Sequence, residues 1–120
     1  MPNPVVHFEI IGKDQQLLKD FYRGVFGWKF TPMMGGYSFV DTMSKAGSGI
    51  GGGIGAAEEA RRHVIFYVSV ADIGAALATI EANGGQQAFG PHPIPDGGNV
   101  AGFLDPEGHL IGLVQPPPGM

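Results

Sequence analysis

The chain has 120 residues, no cysteine, a formal net charge of −4 and 43% apolar residues. That is enough for one domain with its own core, without a disulfide framework or thiolate metal site and without the basic face of a nucleic-acid binder. No apolar run reaches the roughly 20 residues that cross a bilayer. The start, MPNPVVHFEI, lacks the basic-then-apolar pattern of a signal peptide, so the expected setting is the cytoplasm, with no membrane partner.

Residues 5–11, VVHFEII, alternate as a half-buried strand. Asp14 then caps a predicted helix, QQLLKDFYRGVF, that stops at Gly27. Its apolar residues, Leu17, Leu18, Phe21, Tyr22, Val25 and Phe26, recur at three- and four-residue spacing. Three strand-like stretches follow: WKFTPM, YSFVDT and the glycine run GSGIGGGIG at 47–55. A second cycle begins with HVIFYVSV, residues 63–70. Asp72 caps IGAALATIEANG, and QQAFG, NVAGFLD and HLIGLVQ follow with turn signals between them. Asp14 and Asp72, like Gly27 and Gly85, stand 58 positions apart. The pattern is βαβββ written twice.

The glycine run also fits G-x-G-x-x-G, the pattern of a dinucleotide-binding turn. That fold needs a long crossover helix after the glycines. Only AAEEARR is available, without an apolar stripe. The run is better explained as the fourth strand of the first module. Its side chains are absent either to leave a hollow or to permit close packing between modules or subunits.

HFEI with Asp14 seven residues after His7, FYRGVFGW, FYVSVADIGAALATIEANGG, GPHPIPDGG and DPEGHLIGLVQ together resemble the vicinal oxygen chelate superfamily. That superfamily includes glyoxalase I, extradiol dioxygenases and the bleomycin and fosfomycin resistance proteins. The resemblance spans nearly the whole chain. It implies an α+β fold of two βαβββ modules, residues 4–56 and 63–115, in a single domain. Their mixed sheet is expected to curl into a glyoxalase-like cup completed by a homodimer. In metal-dependent members, one residue from each of four strands holds a divalent ion in the cup.

Checked position by position, His7 matches the first-strand ligand. Ile65 stands at the fifth-strand position, Gly112 at the eighth, and the fourth must come from a strand of glycine and isoleucine. One imidazole does not make a metal site, since zinc needs three or four protein donors. No cofactor is therefore favoured. The alternative is a divalent metal on His7, His63 and Glu9, serving a lyase, isomerase or dioxygenase.

Strand parity puts His7 and Glu9 on the cup face with Ile65, Tyr67, Gly51, Gly53 and Gly112, and puts Val64, Phe66 and Val68 against the helix. His7, Glu9 and Tyr67 are the candidate catalytic groups. Tyr37, Gly51, Gly53, Ile65 and Gly112 are the candidate pocket. Trp28, Met33, Met34 and Phe39 border it, with Trp28 read as core. His92 is placed on a lid-like loop, His109 and Glu107 are read as solvated, and Arg61 and Arg62 as a charged linker able to steer an anion. The expected function is binding of a small apolar organic molecule without a metal, as resistance proteins of this fold bind drugs. An enzyme of the same superfamily is the alternative.

Overall fold

The computed structural model describes residues 2–33, 35–43, 47–57 and 62–118; Met34 and Arg61 lie outside them. The chain divides into two compact units, His7–Ile65 and Met1–Val6 with Phe66–Met120.

In the first unit the elements are β1 (Val5–Gly12, from His7 onward), α1 (Gln15–Phe26), β2 (Lys29–Pro32), β3 (Tyr37–Asp41) and β4 (Gly52–Ala56). Their sheet order is β2-β3-β4-β1. β1 and β4 are parallel, with Phe8 opposite Gly52 and Ile10 opposite Ile54. β3 and β4 are antiparallel, with Tyr37 opposite Gly55 and Phe39 opposite Gly53.

The second unit follows the same plan with β5 (His63–Ser69, from Phe66 onward), α2 (Ile73–Ala82), β6 (Gln86–Pro93), β7 (Asn99–Leu104) and β8 (Leu110–Gln115), ordered β5-β8-β7-β6. β5 and β8 are parallel, with Tyr67 opposite Gly112. The Ser69 N–H donates to the Pro4 carbonyl at 2.9 Å, tying the first residues of the chain to this unit.

Both helices begin where a carboxylate can satisfy free backbone donors. Asp14 Oδ1 accepts from Leu17 N at 3.0 Å and Asp72 Oδ1 from Ala75 N at 3.1 Å. α1 ends at Gly27, whose φ of 73° lets its N–H reach the Arg23 carbonyl.

Each unit has its own core. Ile10, Val40 and Ile54 form the first, with Phe8, Leu18, Tyr22, Trp28 and Phe30 against it. The Trp28 ring stacks on Tyr22 at 4.8 Å and 10°, as a core residue should. Val70, Ile73, Leu77, Ala101 and Leu113 form the second.

Four local expectations change. Of the six apolar residues of α1, Leu18 and Tyr22 reach the core, whereas Leu17, Phe21, Val25 and Phe26 are exposed. A helix lying on a sheet covers only a stripe roughly 100° wide, and Leu17, Phe21 and Val25 form a parallel stripe beside it. The glycine strand is shorter than the run, because Gly47 and Gly49 have φ of 79° and 115° and cannot continue a ladder.

Val64 is 73% exposed and Phe66 40%, rather than packed on a helix. Ile73 and Leu77 of α2 instead pack with Val68, further along β5, and with Val70 just beyond its end. His92 lies in β6 opposite Val100 rather than in a loop, because the β6–β7 hairpin extends to Pro93 through register shifts. Its ring stacks 6.3 Å from Phe89.

Candidate functional site

On β1 the residues alternate, so Phe8 and Ile10 enter the core under α1 while His7 and Glu9 stand on the opposite face. There Glu9 organises a network. His63 Nε2, on the first residue of β5, lies 3.0 Å from Glu9 Oε1. The Tyr37 hydroxyl donates to Glu9 Oε2 at 3.2 Å. His7 Nε2 lies 3.3 Å from the same hydroxyl oxygen. A phenol has one proton. If it goes to Glu9, His7 donates to Tyr37 through Nε2–H, and His63 donates to Glu9 through its own Nε2–H. The order is then His7, Tyr37, Glu9, His63.

The Glu9 side chain is only 16% exposed and that of His63 28%, so these contacts are partly screened from water and correspondingly stronger. Burial pushes the His7 imidazole below its ordinary pKa, and the negative charge of Glu9 opposes that shift. His7 is thereby held toward its neutral form.

How does Tyr37, on β3, reach β1? Strand β4 lies between them, so the phenol must span about two strand spacings of roughly 4.8 Å each. It can do so only because β4 carries no side chain there. A Cβ built on Gly53 would lie 1.6 Å from the Tyr37 hydroxyl and 2.0 Å from Cζ, and one on Gly55 would lie 3.0 Å from Cδ1. The glycines are seats for aromatic rings.

The same device recurs. Phe8 lies over Gly52, Phe39 over Gly51, Phe89 over Gly102 and Tyr67 over Gly112. Gly53 and Gly112 therefore do not open onto a hollow; the tyrosine rings fill the space their missing side chains leave. Glycine paired with an aromatic across a sheet is also a recognised way to stabilise that strand position.

His7, Glu9 and Tyr37 are brought together with His63, and Phe39 lies beside them, its ring 6.5 Å from that of His7. Ile65 is buried at 5% exposure. Tyr67 is buried in the second unit with its ring over Gly112. Strand parity gives Tyr67 as a catalytic candidate, with Tyr37 a pocket residue; register puts the Tyr37 hydroxyl on Glu9. The signal that could have paired Tyr37 with Glu9 was the side-chain-free Gly53 on the strand between them. His109 is exposed and holds Asp105 at 3.0 Å. Its backbone N–H to Asp105, foremost, draws that carboxyl below its usual pKa.

The metal ion implied by the resemblance was tested against this donor set. Among the described residues no group of three or more His, Asp or Glu side chains is arranged to hold one. The Tyr37 hydroxyl stands between His7 and Glu9, and Gly53, Ile65 and Gly112 carry no donor. The residues do not fit the ion.

A groove of about 440 Å³ lies elsewhere, in the second unit, along α2 and lined by Asn3, Val68, Ala76, Ile80 and Phe103 with Asp72. Asp72 is already engaged as the cap of that helix, so the groove offers little polar chemistry.

Comparison with known proteins places this geometry. Methylmalonyl-CoA epimerase from Mycobacterium tuberculosis superposes over 95% of this chain and 88% of its own, at 15% identity and a TM-score of 0.70. Streptomyces coelicolor methylmalonyl-CoA epimerase in complex with 2-nitronate-propionyl-CoA matches over 93% and 96%, at 18% identity and 0.67. A hypothetical protein from Bacillus halodurans matches over 96% and 95%, at 17% identity and 0.71. At such identities the likeness establishes the fold alone. A search of curated proteins gave no match. The family model for the Glyoxalase/Bleomycin resistance protein/Dioxygenase superfamily matches residues 5–113, and the chain belongs to that superfamily.

Proposed function

We propose that the protein binds a small organic molecule on the His7–Glu9 face of its first unit, without a metal ion. The observation that carries this reading is the state of Glu9. Its two carboxylate oxygens are engaged by Tyr37 and His63 rather than aimed with His7 at one point, as a metal site would require. Beside that network lies the Phe39 ring, 6.5 Å from that of His7, and an aromatic group next to a small number of placed polar groups supports a small-molecule site. A homodimer and a cytoplasmic setting belong to the same reading. The exposed Leu17, Phe21 and Val25 of α1 support the first, and the absence of cysteine is consistent with the second.

The test is metal content of untagged protein never exposed to chelator, followed by thermal shifts with Ni²⁺, Zn²⁺, Mn²⁺ and Fe²⁺ on wild type and His7→Ala. An ion at 100 times its dissociation constant would add about 2.7 kcal/mol, a rise of several degrees in a domain of this size. No specific rise is expected. Stoichiometric metal that disappears with His7→Ala would overturn the proposal.

One observation favours a second reading, an acid–base enzyme related to the epimerases in fold. The run from His7 through Tyr37 to Glu9 and His63 is a path along which a proton can be handed. Glu9 would take a proton from a carbon next to a carbonyl, exchange it with solvent through the neighbouring donors, and return a proton to the same carbon, leaving Glu9 ionised as before. Deuterium exchange from solvent into acyl thioesters, followed by NMR, tests this. Exchange that stops in Glu9→Gln while binding persists would favour the enzyme over the binding module.

A further inference from the structure

Gly53 and Gly55 on one face of β4, with Gly51 just before the strand, form a trough without side chains, and the Tyr37 ring lies in it over Gly53 and Gly55. The ring is held differently from its counterpart on the other face. Phe8, over Gly52, is fixed within a core that includes Ile10, Ile54 and Trp28. Tyr37 is only half-buried and is the first residue of its strand, preceded by Gly35 and Gly36 at φ of 75° and 74°. Its backbone is anchored, with its carbonyl accepting from Met33 N at 2.8 Å. Rotation about the side-chain bonds alone would lift the ring from the trough.

Resting on the reading of a metal-free binding site, we propose that Tyr37 is a displaceable occupant of the ligand's seat. The ligand is a planar aromatic compound carrying a neutral hydroxyl. It takes the trough over Gly53 and Gly55, and its hydroxyl replaces that of Tyr37 between His7 and Glu9. The trough has the thickness and apolar floor for one flat ring, as Tyr37 itself demonstrates. Its end presents a carboxylate acceptor and an imidazole, a pairing that receives an O–H donor and repels a carboxylate. A ring without the hydroxyl would forgo a hydrogen bond to a charged acceptor and bind at least about tenfold more weakly. While Tyr37 holds the seat, apparent affinity falls by the fraction of molecules with the ring swung out.

The experiment is isothermal titration of 4-ethylphenol, ethylbenzene and 4-ethylbenzoate into wild type, Tyr37→Ala and the Tyr37→Ala/Gly53→Ala double variant, all in chelator. Tyr37→Val replaces Tyr37→Ala if the latter fails to fold by circular dichroism. The emptied seat should bind 4-ethylphenol at least about tenfold more tightly than wild type does. It should also prefer 4-ethylphenol to either other compound by a similar factor, and refilling the trough at Gly53 should abolish binding. A folded variant with no gain for the phenol, no preference for it, or binding that survives Gly53→Ala would overturn the inference. Those results leave the metal-free binding reading standing, since that reading fails only on stoichiometric, His7-dependent metal.

Discussion

At the scale of single residues, the first unit is governed by what its glycines admit. Gly52 and Gly53 are neighbours in sequence with opposite surroundings. A Cβ on Gly52 would lie 2.5–2.6 Å from three atoms of the Phe8 ring, which core packing holds in place. Gly52→Ala should therefore cost about 1–3 kcal/mol as overpacking. At Gly53 the clash is with the far end of Tyr37, which can rotate away. The cost there should be mainly the Tyr37 hydrogen bonds, about 0.5–1.5 kcal/mol each. Thermal denaturation should rank Gly52→Ala as the more damaging, and the reverse order would refute this account of the seats.

His7 gives a second prediction at this scale. Its folded pKa is lowered by burial, with Glu9 opposing, so below the ordinary histidine range the unfolded chain binds the additional proton more readily than the folded one. Stability from this group is complete at pH well above its unfolded pKa and declines as pH falls through it. Denaturant midpoints of wild type at pH 7.5 and 5.5, compared with His7→Gln, should show a smaller acid-side loss in the variant. Equal losses would assign the acid sensitivity elsewhere.

Elements show how far local rules reach. The aspartate caps and the α1 terminus at Gly27 were legible because each depends on a carboxylate or a left-handed backbone within a few residues. Asp14→Ala should cost about 1 kcal/mol, and Gly27→Ala, at φ 73°, about 1–2 kcal/mol. Which face of a helix is buried is less local. Periodicity grouped six apolar residues of α1, yet packing selected Leu18 and Tyr22. In α2, Ile73 and Leu77 are buried, and Leu77→Ala should cost about 2–5 kcal/mol. Urea denaturation of these variants checks the order, with Leu77→Ala the most destabilised.

For the whole molecule, the uncovered stripe on α1 bears on assembly. The proposed homodimer predicts that wild type sediments as a dimer at micromolar concentration and that Phe21→Glu shifts it to monomer by placing a charge in an apolar contact. A wild-type monomer would remove the dimer from the proposal. The doubled βαβββ plan, both helices and the opposite facing of Phe8 and Glu9 were all readable from the chain. They follow from near-neighbour physics: alternation, helical period, caps and turns, restated after 58 residues. The partners of Glu9 were only partly readable: His63 stands with Glu9 in the metal alternative, whereas Tyr37 is placed in the pocket without being paired to Glu9. Tyr37 is 28 positions from it and His63 is 54. Whether either meets Glu9 depends on strand order and register, and one residue of slippage would turn a side chain to the opposite face. The glycine run was conspicuous in the chain but ambiguous there, because a missing side chain does not say what takes its space. Only the pairing of β3, β4 and β1 assigned that space to a phenol reaching across a strand.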